Sequence, residues 1–467
     1  MKRSLSIVFL CTALLACSSA DLQIWHRTSL DSEYGQSGAP TVASLGDYLE
    51  LEDTLFAEVD RRIYEADDAT QYAPFSRYRS GSRADPRGES PDWNRTILLQ
   101  PTGEFRGNAL LLHGMSDSPY SLRALGLRLQ GEGYRVLALR MPGHGTIPAG
   151  MLDLDWREMA RVVALGMRYL QDASPGSSTH MIGYSTGAAL ALNYALDNQQ
   201  SSRSPASLVL ISPAIAISPA AGLAATKRRA SAVPGLSGLA WLQVEPEFDP
   251  YKYNSFATNA AEQVHRLTRA VSQRVNESDD VVLPPTLVFK STVDATVSTE
   301  AVIDSLLLKV QTGDHELVLF DVNRYSAATA LLIDDPAPLT DRLNAKEQLP
   351  FTLTQVTNTS NDSQSVSAST RIAFTRLTGD KETLAEKWPE GVFSLSHVAL
   401  PFPPNDPIYG SGPPEETGRI FLGRQAVQGE RGILRISQQY LLRLRHNPFF
   451  PYLETRTVRW LERSGGG

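Results

Sequence analysis

Residues 179–196, THMIGYSTGAALALNYAL, contain Gly183-Tyr184-Ser185-Thr186-Gly187. The pattern G-x-S-x-G alone says little, since at roughly 7% glycine a chain of this length produces one by chance about one time in six. Its surroundings decide the reading. HMIGY has the character of a short buried strand, and AALALNYAL is an Ala/Leu-rich helical run, so Ser185 falls at a strand-to-helix turn. Such a turn strains the backbone of the serine and admits only small neighbours, which Gly183, Gly187 and Ala188 supply. The unpaired N–H groups and the dipole at the start of the helix favour negative charge beside that serine.

Working outward, the same alternation recurs. TILLQP, NALLLHG, RVLALRMPG, THMIGYS, SLVLISP, PTLVFKS and HELVLFDV are apolar runs of the length and kind that buried parallel strands require. Helical stretches such as SLRALGLRLQGEG, DWREMARVVALGMRYLQD and GAALALNYALDN separate several of them. The pattern predicts an α/β domain with a mostly parallel sheet flanked by helices, whose binding sites lie beyond the carboxyl ends of the strands. Two segments interrupt it. Residues 213–283 are helical and loop-like and fit a helical cap; residues 324–391 carry polar β-like runs and read as a late insertion. The core then comprises 96–212, 284–323 and 392–467. Residues 17–95 form an N-terminal arm with one helical pattern, in which Leu45, Leu49, Leu55, Phe56, Val59 and Ile63 recur near the 3.6 period.

The 467 residues are 42% hydrophobic and 20% charged, with a formal net charge of −7. That balance supports a sizeable core and argues against a nucleic-acid binder, which would show a basic face. At the N-terminus, Lys2 and Arg3 precede a short apolar run through residue 16, too short to span a bilayer and typical of a secretory signal. The run ends Leu14-Leu15-Ala16-Cys17, which resembles the lipobox of bacterial lipoproteins. That resemblance implies removal of residues 1–16, lipidation of Cys17 and, with Ser18 following, an outer-membrane location facing the periplasm. Cys11 would leave with the signal, so Cys17 would be the one remaining cysteine and no disulfide is expected.

A serine nucleophile needs oxyanion donors and a base. LLLHGMSDSPYSLRALGLRLQGEGYRVLALRMPGHG, followed by GYSTG, resembles the α/β-hydrolase superfamily, closest to its branch of monoacylglycerol lipases, lysophospholipases and small bacterial carboxylesterases. The resemblance implies that the backbone N–H groups of Met115 and Thr186 receive an oxyanion and that His113 and His144 orient loops. It also implies a carboxylic ester as substrate. Two positions depart from the family pattern: Arg140 stands where an aspartate often begins the loop before Gly-His-Gly, and Ala188 replaces a frequent glycine.

The acid in this fold follows the serine and ends a later strand, in the order Ser, acid, His. Asp294, just after PTLVFKS, fits; Asp249 lies in the cap segment and Asp314 comes just before the next strand. For the base, His397 and His446 both follow the last core strand, taken as ELVLFDV. His397, in the loop FSLSHVALPF, is favoured; His446 reads as a helix cap or surface residue. The gap from Asp294 to His397 is long, and requires the two ends of the 324–391 segment to lie close in space. The expected activity is hydrolysis of small-molecule or lipid esters through an acyl-enzyme on Ser185. Thioesterase, amidase or acyltransferase chemistry on the same residues is an alternative, as is a catalytically idle envelope lipoprotein. No metal-ligand spacing or phosphate-binding glycine loop occurs, so no cofactor is expected.

Overall fold

The computed structural model describes residues 22–465, apart from 67–70, 216–236, 278–280, 295, 311, 313, 323–336, 361–362, 380, 390–391, 393–394, 414–417 and 424–442. Its strands are β1 (Ile97–Leu99), β2 (Gly107–Leu112), β3 (Tyr134–Leu139), β4 (Thr179–Tyr184), β5 (Ser207–Ile211), β6 (Trp241–Gln243), β7 (Phe256–Ala257), β8 (Thr286–Ser291), β9 (His315–Asp321), β10 (Thr352–Asn358), β11 (Ser365–Arg371) and β12 (Glu382–Lys387). Ten of them form one sheet in the order β1-β3-β2-β4-β5-β8-β9-β10-β11-β12; β6 and β7 make a separate ribbon. From β3 through β10 every neighbouring pair is parallel, while β1, β11 and β12 are added antiparallel at the two margins. The α/β architecture read from the apolar runs is the architecture observed.

The longer helices are α1 (Leu45–Val59), α2 (Arg123–Gly131), α3 (Trp156–Ala173), α4 (Thr186–Asp197), α5 (Thr258–Glu277), α6 (Ala337–Ala345) and α7 (Phe450–Gly465). The strand period of two divides the interior between the sheet faces. Leu110, Leu112 and Met181 join the core beneath α3, α4 and α5, whereas Ala109, Leu111 and Ile182 join the one beneath α2 and α7. Helix α3 has one apolar stripe, with Met159, Val162, Val163, Gly166, Met167 and Leu170 buried, and so lies on the surface of the domain. Helix α4 is buried along its length from Thr186 to Leu196, as an Ala/Leu sequence with no charged residue before Asp197 allows.

The arm is an integral part of the domain. Ser44 caps α1 reciprocally with Asp47, and Leu45, Tyr48, Leu51 and Leu55 are buried. Arg140, noted above as a departure, is completely buried. Its guanidinium pairs with Glu52 at 3.0 Å and Glu33 at 3.1 Å, both from the arm, and donates to the carbonyl of His144 at 3.0 Å.

Residues 324–391 supply β10, β11 and β12, which carry the main sheet three strands beyond β9. Their Thr and Ser residues suit a pleated surface with one half-wet face. Exposed charges on β12, such as Glu382, blunt the edge. After β12 the chain returns to the core: Trp388 and Phe320 of β9 both stack on Phe449, with ring centroids 6.0 Å apart in each case.

Candidate active site

Ser185 sits between β4 and α4 with φ 54° and ψ −115°, a region that costs a non-glycine residue about 1–3 kcal/mol. Surrounding structure enforces it. The Ser185 N–H donates to Ile211 O at 2.9 Å, which fixes the turn to β5. A Cβ on Gly187 would lie 2.1 Å from the Leu112 carbonyl oxygen, and one on Gly183 would lie 2.5 Å from Ala188 Cα. Both positions therefore require glycine, and Ala188 fills its own place without a clash of that kind.

Asp294 follows β8 in a tight turn. Its Oδ1 accepts the N–H groups of Thr296 and Val297, each at 2.9 Å, leaving Oδ2 directed at His397 Nδ1, 3.0 Å away. On the other side of the imidazole, Nε2 is 3.1 Å from Ser185 Oγ. With the proton on Nδ1 held by the carboxylate, Nε2 is the acceptor for the serine hydroxyl. The three residues picked from their order in the chain thus lie together.

The His397 loop is held by groups that local sequence patterns do not reveal. Asp406 accepts the N–H groups of Ile408 and Tyr409, each at 2.9 Å, and the hydroxyl of Tyr120 at 3.2 Å. Tyr409 donates its hydroxyl to the buried Asp249 at 2.5 Å, and Asn447 N–H donates to Phe402 O at 2.8 Å. Tyr184 donates to the His397 carbonyl at 3.3 Å. His446, expected as a helix cap or surface residue, is instead buried, and burial pushes its imidazole below the ordinary value.

Two further side chains join the acid. Lys290 of β8 and Ser212, just past β5, are fully buried, and both hydrogen-bond Asp294 Oδ2. Ser212 Oγ is also 3.1 Å from His397 Nδ1. Burial acts to raise the Asp294 carboxyl, but the charges of Lys290 and His397 outweigh it and hold that carboxyl well below the usual carboxylate range. One signal for Lys290 was present in the sequence: a lone cation within the apolar run TLVFKS. Ser212 had none.

Met115 and Thr186 border the same cavity as Ser185. Thr186 opens α4, where a backbone N–H has no intrahelical acceptor. The Met115 loop is braced by two neutral histidines. His113 Nε2 accepts from Met141 N at 3.1 Å while Nδ1 donates to Gly114 O at 2.8 Å. His144 Nδ1 donates to Pro142 O at 2.9 Å, and its Nε2 is 3.2 Å from Met115 Sδ. Burial pushes His113 down to about 4 and His144 down to about 3, so both are uncharged at neutral pH.

The cavity over Ser185 encloses about 250 Å³ and has largely apolar walls, including Ala214, Phe256, Val264, Val297 and Val398. Phe256, Ala261 and Val264 come from β7 and α5 of the 213–283 segment. Lys252 and Asp117, 2.6 Å apart, form a neutral pair on its wall. Among the described residues no group of three or more His, Cys, Asp or Glu side chains is arranged for a metal ion, and no helix is long and apolar enough to cross a membrane. Residues 1–16 and Cys17, the predicted signal and lipidation site, lie outside the described residues, as does 216–236 of the cap segment.

A strand-to-helix serine on a parallel sheet, faced by an acid from a later strand end and a histidine from a loop beyond the last strand, is the arrangement of the α/β hydrolases, and a sequence model of that family matches residues 109–342. This chain belongs to the alpha/beta hydrolase family. Similar solved structures include one from a study of LipS and LipT, two metagenome-derived lipolytic enzymes, at 21% identity over 54% of this chain and 96% of that one, with a TM-score of 0.41. A soluble variant of the Saccharomyces cerevisiae monoglyceride lipase is 17% identical over 48% of this chain and 81% of its own, with a TM-score of 0.39. The Paleococcus ferrophilus monoacylglycerol lipase is 20% identical over 48% and 87%, with a TM-score of 0.38. No curated protein matches the chain.

Proposed function

We propose that this protein is a serine hydrolase of carboxylic esters, of the esterase or lipase type. The observation that carries the reading is the continuous relay from Asp294 Oδ2 through His397 to Ser185 Oγ, in steps of 3.0 and 3.1 Å, opening on an apolar cavity. His397 Nε2 takes the hydroxyl proton as Ser185 Oγ attacks the ester carbonyl, and Asp294 stabilises the imidazolium that forms. The N–H groups of Met115 and Thr186 receive the oxyanion of the tetrahedral intermediate. The imidazolium then protonates the departing alkoxide, leaving an acyl group on Ser185. A water deprotonated by His397 releases that acyl group as the carboxylic acid. The apolar walls suit an acyl chain.

A fluorophosphonate probe should label the purified protein at Ser185, and p-nitrophenyl esters should be cleaved, with both signals lost in Ser185→Ala. A wild-type protein that is neither labelled nor active over a range of acyl lengths overturns this reading. On sequence grounds we propose, in addition, that Cys17 carries a lipid anchor in a bacterial envelope. Cys17→Ser should move the protein from the membrane fraction to the soluble one, and unchanged fractionation counts against the anchor.

A further inference from the structure

The proposed chemistry uses Ser185, His397 and Asp294, yet the acid shares its burial with a cation that this chemistry does not employ. Lys290 is on β8, four residues before Asp294, with no exposed side-chain surface. An ammonium in such a place is costly unless it is paired and hydrogen-bonded. Here it is aimed at Asp294 Oδ2, at Ser212 Oγ at 3.1 Å and at the carbonyl of Val297 at 2.7 Å. Ser212, with φ 47°, reaches both Asp294 Oδ2 and His397 Nδ1. One carboxylate oxygen is therefore shared by an imidazole, a hydroxyl and an ammonium.

Charge balance gives this arrangement its meaning. With His397 neutral, Lys290 and Asp294 cancel. Protonating His397 sets a second positive charge on the carboxylate that Lys290 already pairs. Ser185 and Ser212 are neutral, the Tyr184 ring lies 5.2 Å from the imidazole, and Lys252 across the cavity is matched by Asp117.

We infer that Lys290 is a positioning residue of the site: it pins Asp294 Oδ2 between Ser212 and His397, and its charge extends the reaction to lower pH than the serine, histidine and aspartate would reach alone. The inference rests on the ester-hydrolase reading above. Reaction needs His397 unprotonated, so activity is lost as pH falls, and a cation beside the acid moves that acid limb downward.

The test is the rate of fluorophosphonate labelling at Ser185 as a function of pH, in wild type and in Lys290→Gln, Lys290→Met and Lys290→Arg. Gln retains N–H donors without the charge, Met retains bulk alone, and Arg retains the charge. The acid limb should move up by about one pH unit in the Gln and Met variants and should stay near its wild-type place in Lys290→Arg. Folded Gln and Met variants that label with the wild-type acid limb overturn the inference and leave the ester-hydrolase reading intact. So does failure of both to fold while Lys290→Arg folds and labels normally, which would confine Lys290 to stability. A wild type that does not label at Ser185 removes the reading beneath it instead.

Discussion

Two buried cations in this molecule solve one electrostatic problem for different ends. Arg140 and Lys290 both have no exposed side-chain surface, and each is paired with carboxylates. Arg140 joins Glu33 and Glu52 of the arm to the loop before Gly-His-Gly, using the planar fork of its guanidinium to hold several acceptors at once. Every acceptor of that guanidinium is a carboxylate or a backbone carbonyl, and neither Arg140 nor its two glutamates line the cavity over Ser185. Lys290 instead shares its carboxylate with His397, which reaches Ser185 and the cavity. The physical cost of burial is the same in kind, but only one cluster ends at an atom that substrate can meet. Burial of charge marks structural commitment, and access to a reacting atom separates a site from a clasp.

The comparison is broken most severely at the accessible end. His397→Ala should lower the ester-cleavage rate by about 10⁶-fold, with the unfolding midpoint little changed, while His446→Ala should leave the rate within a few-fold. Steady-state kinetics on both variants, with thermal unfolding as a control, checks this; loss only in His446→Ala would transfer the base to that residue. At the sealed end, Arg140→Met strands two buried carboxylates and should cost about 3–5 kcal/mol of stability, read by denaturant unfolding. Adding Glu33→Gln and Glu52→Gln to Arg140→Met should restore a large part of that loss. No restoration would mean that Arg140 acts through packing and the His144 carbonyl alone.

The two clusters also differ in how far they could be read from the sequence. Ser185 and Asp294 are legible because each depends on its immediate context, a strand end and a tight turn. His397 could be narrowed only to one of two histidines, since the chain between it and Asp294 runs through three strands that prolong the sheet. Those strands are alternating and polar, so their sequence resembles an excursion from the core more than a continuation of it. Lys290 is a lone cation in an apolar strand, a signal the sequence reading did not take up, and its partner Ser212 comes from a different strand end, where pairing leaves no local pattern. Arg140 was noticed as a departure from the family pattern; its explanation lay about ninety residues upstream on α1 and further still in the arm. The fold class, which depends on local periodicity, was fully legible. What was not legible depends on contacts between segments distant in the chain.

That distance has a consequence for synthesis. Ser185 and His397 are separated by 212 positions, and a chain emerges and folds from its N-terminal end. The strained turn at Ser185 can form as soon as β4, α4 and β5 have been made. Its histidine arrives only after β9 to β12 have joined the sheet and the 397–409 loop has been tied to Tyr120 and Asp249. A ribosome-bound or truncated chain would therefore present a bare hydroxyl with no base to activate it. On the proposed chemistry, reactivity is deferred until the last quarter of the polypeptide has docked, so each molecule becomes reactive only on completion.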